Sequence, residues 1–257
     1  DRAITRDVTW GVRIPVEGWE DKRIYVWFEA VIGYLSAAIE WAERSGDPDA
    51  WRRFWLDPEC RHFYFIGKDN IPFHTLIWPA YLMGYADAKG EKYNLPYDVP
   101  ANQYQTIKGS KASTSRRLAV FVPDHLSRYD PDPLRYYLTA TMPEMQDSDF
   151  TWTDYVRRNN AELVATWGTL ANRVLTFAYR NFDGRVPTPG ELTDEDRSMM
   201  ARAEQAIRET GEQIEACHFR AGLEAAMSAA RDANRYVEDN APWKLIKEDR
   251  ERCATVL

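Results

Sequence analysis

The sequence predicts an α/β segment followed by an all-α segment. Two patterns predict it. Up to about residue 152, short strand-like apolar runs alternate with helical stretches, the pattern of a parallel sheet with helical crossovers. Beyond Thr153, apolar residues recur at three- and four-residue spacing and strand signals vanish, the pattern of a helix bundle. No internal repeat or low-complexity tract interrupts either part.

In the first part, Arg23–Phe28 (RIYVWF) reads as a strand running into a helix through Ile39–Trp41. His62–Ile66 (HFYFI), ending at Gly67, suits a buried strand of a parallel sheet. A helix should begin near Pro72, because proline is favoured in a first helical turn. In the second part, Thr153 is the expected N-cap of a helix whose apolar stripe is Val156, Leu163, Val164, Trp167, Leu170, Ala171, Val174 and Leu175. Asn181–Leu192 holds Gly184, Pro187, Pro189 and Gly190 and must be a loop. A second helix is capped by Thr193 and carries Met199, Met200, Ala203, Ile207 and Ile214 on one face. A third runs from about Phe219 through Leu223, Ala226, Met227 and Ala230 to Val237, and Asn240-Ala241-Pro242 restarts a last one. Trp243–Leu257 shows little apolar face, so the bundle is expected to continue past it.

Composition narrows the function classes. Apolar residues make up 44% of the 257 and charged residues 28%, ordinary for a soluble globular protein. A net charge of −7 excludes a general basic coat for nucleic acid, so any RNA contact must be local and shaped. Cys60, Cys217 and Cys253 are far apart and form no CxxC, which argues against a disulfide framework and a zinc site and for a reduced, cytoplasmic location. No apolar run reaches membrane-spanning length and the first residues do not read as a signal peptide, so no membrane partner is expected. The first residue is Asp1, and the chain reads as a fragment or a processed product.

Three clusters carry chemistry. Trp27, Ala30 and Tyr34 lie three and seven residues apart, and His74 and Trp78 four apart, so each set shares a helix face. Two such faces can enclose a small apolar cavity that suits a polarizable thioether, with His and Tyr tips to orient it; core packing explains the same spacing. Gly67-Lys68-Asp69 ends a predicted strand, where ligands bind in open α/β sheets, and Asp69 can accept from ribose hydroxyls. Residues 108–117 (KGSKASTSRR) are basic and hydroxyl-rich; they suit polyphosphate or a solvated loop.

The text around these clusters is specific. WFEAVIGY, YFIGKDNIPFHTLIWPAYL and RAITRD closely resemble the methionine-site segments of methionyl-tRNA synthetases, and SKASTSRR followed by RYDPDPLRYYL resembles the signature loop of that class I family and the helix after it. WGTLANRVLTF resembles its anticodon-facing helix and NAPWKL its stacking tryptophan. The resemblance covers nearly all of this chain and roughly half of a synthetase. It implies the second half of a Rossmann-like class I catalytic domain (residues 1–115, with the methionine pocket and the loop), a connecting, stem-contact-like region (116–152) and an anticodon-binding helix bundle (153–257).

The implied activity is methionine–tRNA ligation with methionine, ATP and tRNA(Met) as partners and Mg2+ as cofactor. Trp27, Ala30, Tyr34, His74 and Trp78 take the methionine-contacting positions. Gly67, Asp69, Lys111, Thr114 and Arg116 take ATP-binding positions, and Lys111, Ser113 and Ser115 catalytic ones. Thr169, Arg173 and Trp243 face the CAU anticodon; Arg173 can bind a base edge or phosphate bidentately and Trp243 can stack a base. Bland alternatives for these two are a surface ion pair and a core anchor.

The chain departs from the family at two sites. Lys111 to Ser115 align on KMSKS, but Ala112 replaces Met and Thr114 the second lysine, which would neutralise charge growing on pyrophosphate; Lys108, Lys111 or Arg116 can compensate. The family's usual Asn is Thr169, which offers one hydroxyl in place of a donor and an acceptor. His62, His74, His125 and His218 form no HIGH-type pair. A missing N-terminal half, in cis or in trans, would have to supply it. The alternative reading is a non-catalytic or divergent paralogue that binds tRNA or methionine, and an unrelated α/β protein is a distant third.

Overall fold

The structure, a computed structural model, describes residues 3–107, 109–111 and 120–257. They form two compact units, 1–103 and 104–257.

The first unit opens with an antiparallel pair, β1 (Thr5–Arg6) and β2 (Arg23–Ile24). The expected strand over Arg23–Phe28 is cut short: helix α1 (Val26–Ala30) begins two residues after β2. After a turn at Val31 and Ile32, whose backbone stays right-handed, come α2 (Gly33–Ser45) and α3 (Arg52–Trp55). The expected strand at His62–Ile66 is two short pieces, β3 (His62–Phe63) and β4 (Ile66–Gly67). They run parallel to β5 (Pro96–Asp98) and β6 (Ala101–Asn102) respectively. The run is not buried on both faces. Tyr64 points into the core while Phe63 and Phe65 stay exposed, the alternation of a strand covered on one side.

Between the parallel partners the chain is helical from residue 71 to 89, with a π-helical turn at Phe73–Ile77 that leads into α4 (Trp78–Lys89). Gly90 stops α4 in the left-handed conformation, at φ 70°. The core of this unit gathers Leu35, Ala42, Trp51, Trp55, Tyr64, Phe73, Trp78 and Leu82.

The second unit begins with a three-stranded sheet. β7 (Gln105–Ile107) lies between antiparallel β8 (Ser110–Lys111) and parallel β9 (Ser148–Phe150). Between β8 and β9 lie α5 (Val122–Leu126) and α6 (Pro131–Ala140). Leu134, Tyr137, Phe150 and Tyr155 form a small core here. Helix α7 (Trp152–Arg158) is capped by Thr151, whose hydroxyl accepts the Asp154 N–H; the expected cap, Thr153, is the second residue of the helix, because Thr151 already holds the extended backbone that a cap requires.

Asn159–Gly168 is π-helical and passes into α8 (Thr169–Asn181). This splits the stripe read from three- and four-residue spacing. Leu163, Leu170, Ala171 and Val174 are half-buried, while Val156, Val164, Trp167 and Leu175 are exposed; within and after the π segment a wider turn rotates successive residues differently. The π geometry reaches the side chains too: Thr166 and Thr169 donate their hydroxyls to carbonyls five residues back, on Ala161 and Val164.

The loop after Asn181 leads to α9 (Asp194–Glu215), α10 (Phe219–Asn240), α11 (Pro242–Glu248) and α12 (Arg250–Val256). Thr193 caps α9 as expected, in a reciprocal box with Asp196. The apolar face of α9 is split: Met199 and Ala203 are half-buried, while Met200, Ile207 and Ile214 face outward. The C-terminal segment does have a closing partner, contrary to expectation. Cys253, Ala254 and Val256 are buried, the Cys253 thiol donates to the Pro242 carbonyl (3.4 Å), and the Thr255 hydroxyl accepts from the Gly190 N–H (2.8 Å). Four apolar or small positions in seven residues are enough for one short helix to seal a bundle end.

A polar cluster locks that seal. Asp196, 3% exposed, takes both guanidinium nitrogens of Arg252, the Tyr236 hydroxyl and the Thr193 N–H. Arg252, whose guanidinium is the main cause, holds the Asp196 carboxyl far below the usual carboxylate range, and burial with the carboxylate contact pushes the Tyr236 phenol up to about 12. A depressed carboxyl stabilises the fold above its unfolded pKa, near 4, and that stability is lost as pH falls below it. Asp196→Asn should therefore lower the stability of this unit by about 3 kcal/mol at neutral pH, since it leaves Arg252 without its counter-charge. In a denaturant titration repeated between pH 7 and pH 3, the gap between wild type and variant should stay constant down to about pH 4 and begin to narrow below it.

Candidate functional site

The aromatic cluster of the first unit stands on four elements. Trp27 and Ala30 lie on α1, Tyr34 in the first turn of α2, His74 inside the π turn and Trp78 at the start of α4. The Tyr34 hydroxyl and His74 Nε2 are 2.8 Å apart, and His74 Nδ1 lies 2.9 Å from the Asn70 carbonyl. A carbonyl only accepts, so Nδ1 carries a proton; in the tautomer with that single ring proton, Nε2 accepts and Tyr34 donates. The two polar tips expected to face a ligand thus satisfy each other first. The phenol's one proton is spent on His74, and its oxygen lone pairs remain. Burial pushes the Tyr34 pKa up.

Around this pair the rings interlock. Tyr34 sits 6.3 Å from Trp78, and Trp27 packs 6.3 Å from Phe73, which meets Phe28 edge-on. His74 and Trp78 are buried, while Trp27, Ala30 and Tyr34 are exposed at the rim. Of the five predicted positions, the structure brings Tyr34, His74 and Trp78 into direct contact; Trp27 joins through Phe73. An open apolar groove of about 600 Å³ lies between α2 and α4, but among the five only Trp78 lines it. Its hydroxyls are those of Ser36, Tyr81 and Tyr85, and no charged side chain lines it.

Gly67 and Asp69 sit at the carboxyl end of β4, where an open α/β sheet presents its ligands. Gly67 has ordinary extended backbone, and a Cβ there would meet nothing within 4 Å; its smallness serves nothing inside the described residues. Asp69 lies on the short 3-10 turn Lys68–Asn70 and is exposed. The neighbouring parallel strand ends at Asn102, level with Gly67, and Lys68 donates to the Gln103 side chain (2.8 Å). Nothing in the sequence pointed to Asn102 and Gln103, because they carry no motif; parallel pairing alone puts them there.

Lys111 ends the β7–β8 hairpin, paired with Thr106. Lys108, Ser113, Thr114, Ser115 and Arg116 lie outside the described residues. The hairpin is fixed from below by Asp149 on β9. One carboxylate oxygen accepts the Thr106 hydroxyl (2.6 Å) and the Gly109 N–H (2.8 Å), where Gly109 turns with φ 71°. Both contacts hold the Asp149 carboxyl below its ordinary range, Thr106 most strongly. Asp149→Ala should release the turn: amide hydrogen exchange at Gly109 is expected to speed up at least tenfold while the α9 and α10 amides keep their rates.

In the bundle, Arg173 lies over the Trp243 ring at 5.1 Å and reaches Glu238 at 3.3 Å. Of the two bland readings, the ion pair of Arg173 is present, whereas Trp243 is 42% exposed and no core anchor. The Thr169 hydroxyl donates to Val164 O (3.2 Å), so its proton is committed to its own helix. The turn before Trp243 passes through Ala241 in the left-handed region, at φ 44°.

Comparison with known proteins joins these parts. Residues 1–175 match the family described as tRNA synthetases class I (M), and residues 186–257 the anticodon binding domain of methionyl tRNA ligase. The methionine–tRNA ligase of Roseiflexus sp. (strain RS-1) is 54% identical over 263 residues, covering 100% of this chain and 43% of that protein. That of Thermobifida fusca (strain YX) is 52% identical over 268 residues, covering 100% and 44%. The chain thus spans less than half the length of these curated relatives. Among solved structures, Mycobacterium tuberculosis methionyl-tRNA synthetase bound by methionyl-adenylate superposes with a TM-score of 0.79 at 30% identity, covering 99% of this chain and 48% of that one. Its apo form gives 0.76 at 31% identity, covering 98% and 47%. The chain belongs to the methionyl group of class I tRNA synthetases.

Proposed function

We propose that this chain carries the methionine-binding, signature-loop and anticodon-facing parts of a methionine–tRNA ligase. The observation that carries the reading is the Tyr34–His74–Trp78 cluster in a chain that matches the ligases along its whole length. A methionine side chain would lie against Trp27, Ala30 and Tyr34 over a floor of His74 and Trp78. A thioether accepts hydrogen bonds only weakly and packs well against ring edges. That suits a wall whose one phenol proton is already engaged.

ATP would occupy the carboxyl end of β4, with its ribose on Gly67 and Asp69. The methionine carboxylate attacks the α-phosphorus and pyrophosphate leaves; the tRNA 3′ hydroxyl then takes the methionyl group and AMP departs. Holding carboxylate and phosphate in line does most of the work. Lys111, Ser113, Thr114, Ser115 and Arg116 would hold the phosphates. Mg2+, when bound with the nucleotide, would neutralise charge on the leaving pyrophosphate. The anticodon would meet Arg173 and Trp243, with Arg173 exchanging Glu238 for RNA, and Thr169 would accept from a base edge rather than donate.

The division at residues 115 and 152, the cytoplasmic location and a partner half that completes the nucleotide site belong to the same proposal. None of the helices among the described residues is long and apolar enough to cross a membrane. The competing reading, a paralogue that binds without catalysis, draws on Thr114 and Thr169.

Two measurements on the full-length protein separate these. Lys111→Ala should abolish methionine-dependent pyrophosphate exchange, and an unchanged rate removes the loop from the mechanism. Arg173→Ala and Trp243→Ala should each lower kcat/KM for tRNA by about tenfold or more, the scale of one lost stacking or base contact, with pyrophosphate exchange unchanged. Loss of both activities together would count against an anticodon role.

A further inference from the structure

We propose that Tyr64, which none of the family segments quoted above assigns a role, is the positioning residue that sets the shape of the methionine cluster. The inference rests on the methionine-site reading and goes one layer beneath it.

Tyr64 lies between β3 and β4, 7% exposed, facing away from Phe63 and Phe65. Its hydroxyl accepts the Trp78 indole N–H at 2.8 Å. Trp78 is 2% exposed, and an indole nitrogen only donates, so Tyr64 decides whether that buried donor is satisfied. The hydroxyl's own proton has one acceptor among the described side chains, His62 Nδ1 at 3.5 Å. His62 Nε2 lies 2.8 Å from the Phe54 carbonyl, which puts the ring proton on Nε2 and leaves Nδ1 to accept. The contacts therefore run in one direction, from Trp78 through Tyr64 to His62. The ring itself meets Tyr34 edge-on, 5.1 Å between centroids at 76°, and lies 5.6 Å from His74.

One side chain thus touches three of the five predicted methionine positions without standing among them. Tyr34 and His74 are tied to each other by their hydrogen bond, and Trp78 is tied to Tyr64. Turning the Tyr64 ring breaks the Trp78 bond and moves the edge on which Tyr34 rests. Packing of this density transmits such a shift directly, and a buried donor without an acceptor is costly enough to drive one. Tyr64 would act on methionine only through Tyr34, His74 and Trp78.

Tyr64→Phe isolates the claim, because it keeps the ring and removes the oxygen. In the full-length protein, pyrophosphate exchange should show the KM for methionine raised about fivefold or more, with kcat and the KM for ATP within about twofold. Trp78→Phe should not multiply that effect in the double variant, since it deletes the donor that Tyr64→Phe orphans. An unchanged methionine KM in Tyr64→Phe overturns the proposal. So do equal rises in both KM values, or fully multiplicative effects in the double variant, which would make Tyr64 a general support of the fold. Trp27→Ala separates the layers. If Trp27→Ala raises the methionine KM and Tyr64→Phe does not, Tyr64 fails alone; if Trp27→Ala leaves it unchanged, the methionine site fails and Tyr64 with it.

Discussion

The hydrogen bond from Tyr34 to His74 organises the first unit. It joins the first turn of α2 to the π turn before α4, and its direction is imposed by a main-chain acceptor, the Asn70 carbonyl. Every ring of the cluster is placed relative to that pair. Tyr64 rests on both of its members, Trp78 lies beside Tyr34, and Phe73 precedes His74 to carry Trp27. If the cluster receives a flexible apolar side chain, as proposed, walls that are already ordered reduce the entropy lost on binding.

The second unit uses a different physics for the same end. Helix α9 buries only Asp196, so a buried charge stands where apolar contact is missing. Asp196 gathers the start of α9, the end of α10 and α12 through one carboxylate. The π segment contributes likewise: its Thr166 carbonyl accepts from Asn234 of α10 at 2.9 Å, a cross-helix bond that a closed α-helical ladder seldom offers. Arg173 and Trp243 are brought together on that frame by α8 and the turn at Ala241.

The order of an α/β part before a helical part was legible in the sequence because strand and helix patterns switch once, near Thr153. Trp27, Tyr34, His74 and Trp78 were legible as a group because the long stretches around them resemble one family. Spacing alone could not separate a pocket from a core. Two classes of feature stayed hidden. The π segments at 73–77 and 159–168 defeat any argument built on 3.6 residues per turn, which is why Val164, Trp167 and Leu175 were misplaced as buried. Tyr64, Asp149 and the Asp196–Arg252 pair act across gaps of 14 to 56 residues, and their local text is an apolar run, a β-edge and an ordinary cap box. The C-terminal helix was underrated for the same reason: Cys253 and Ala254 look weakly apolar until Pro242 and the helices beside them close over them.

His74 accepts the Tyr34 hydroxyl at Nε2 and forms one wall of the proposed methionine site. Long-range proton–nitrogen correlation spectra of the histidine rings in the full-length protein, recorded with and without methionine, test this most directly. The account predicts a His74 ring protonated at Nδ1, with an Nε2 resonance that shifts as methionine is added. A proton found on Nε2, or His74 resonances that methionine leaves unmoved, would contradict it.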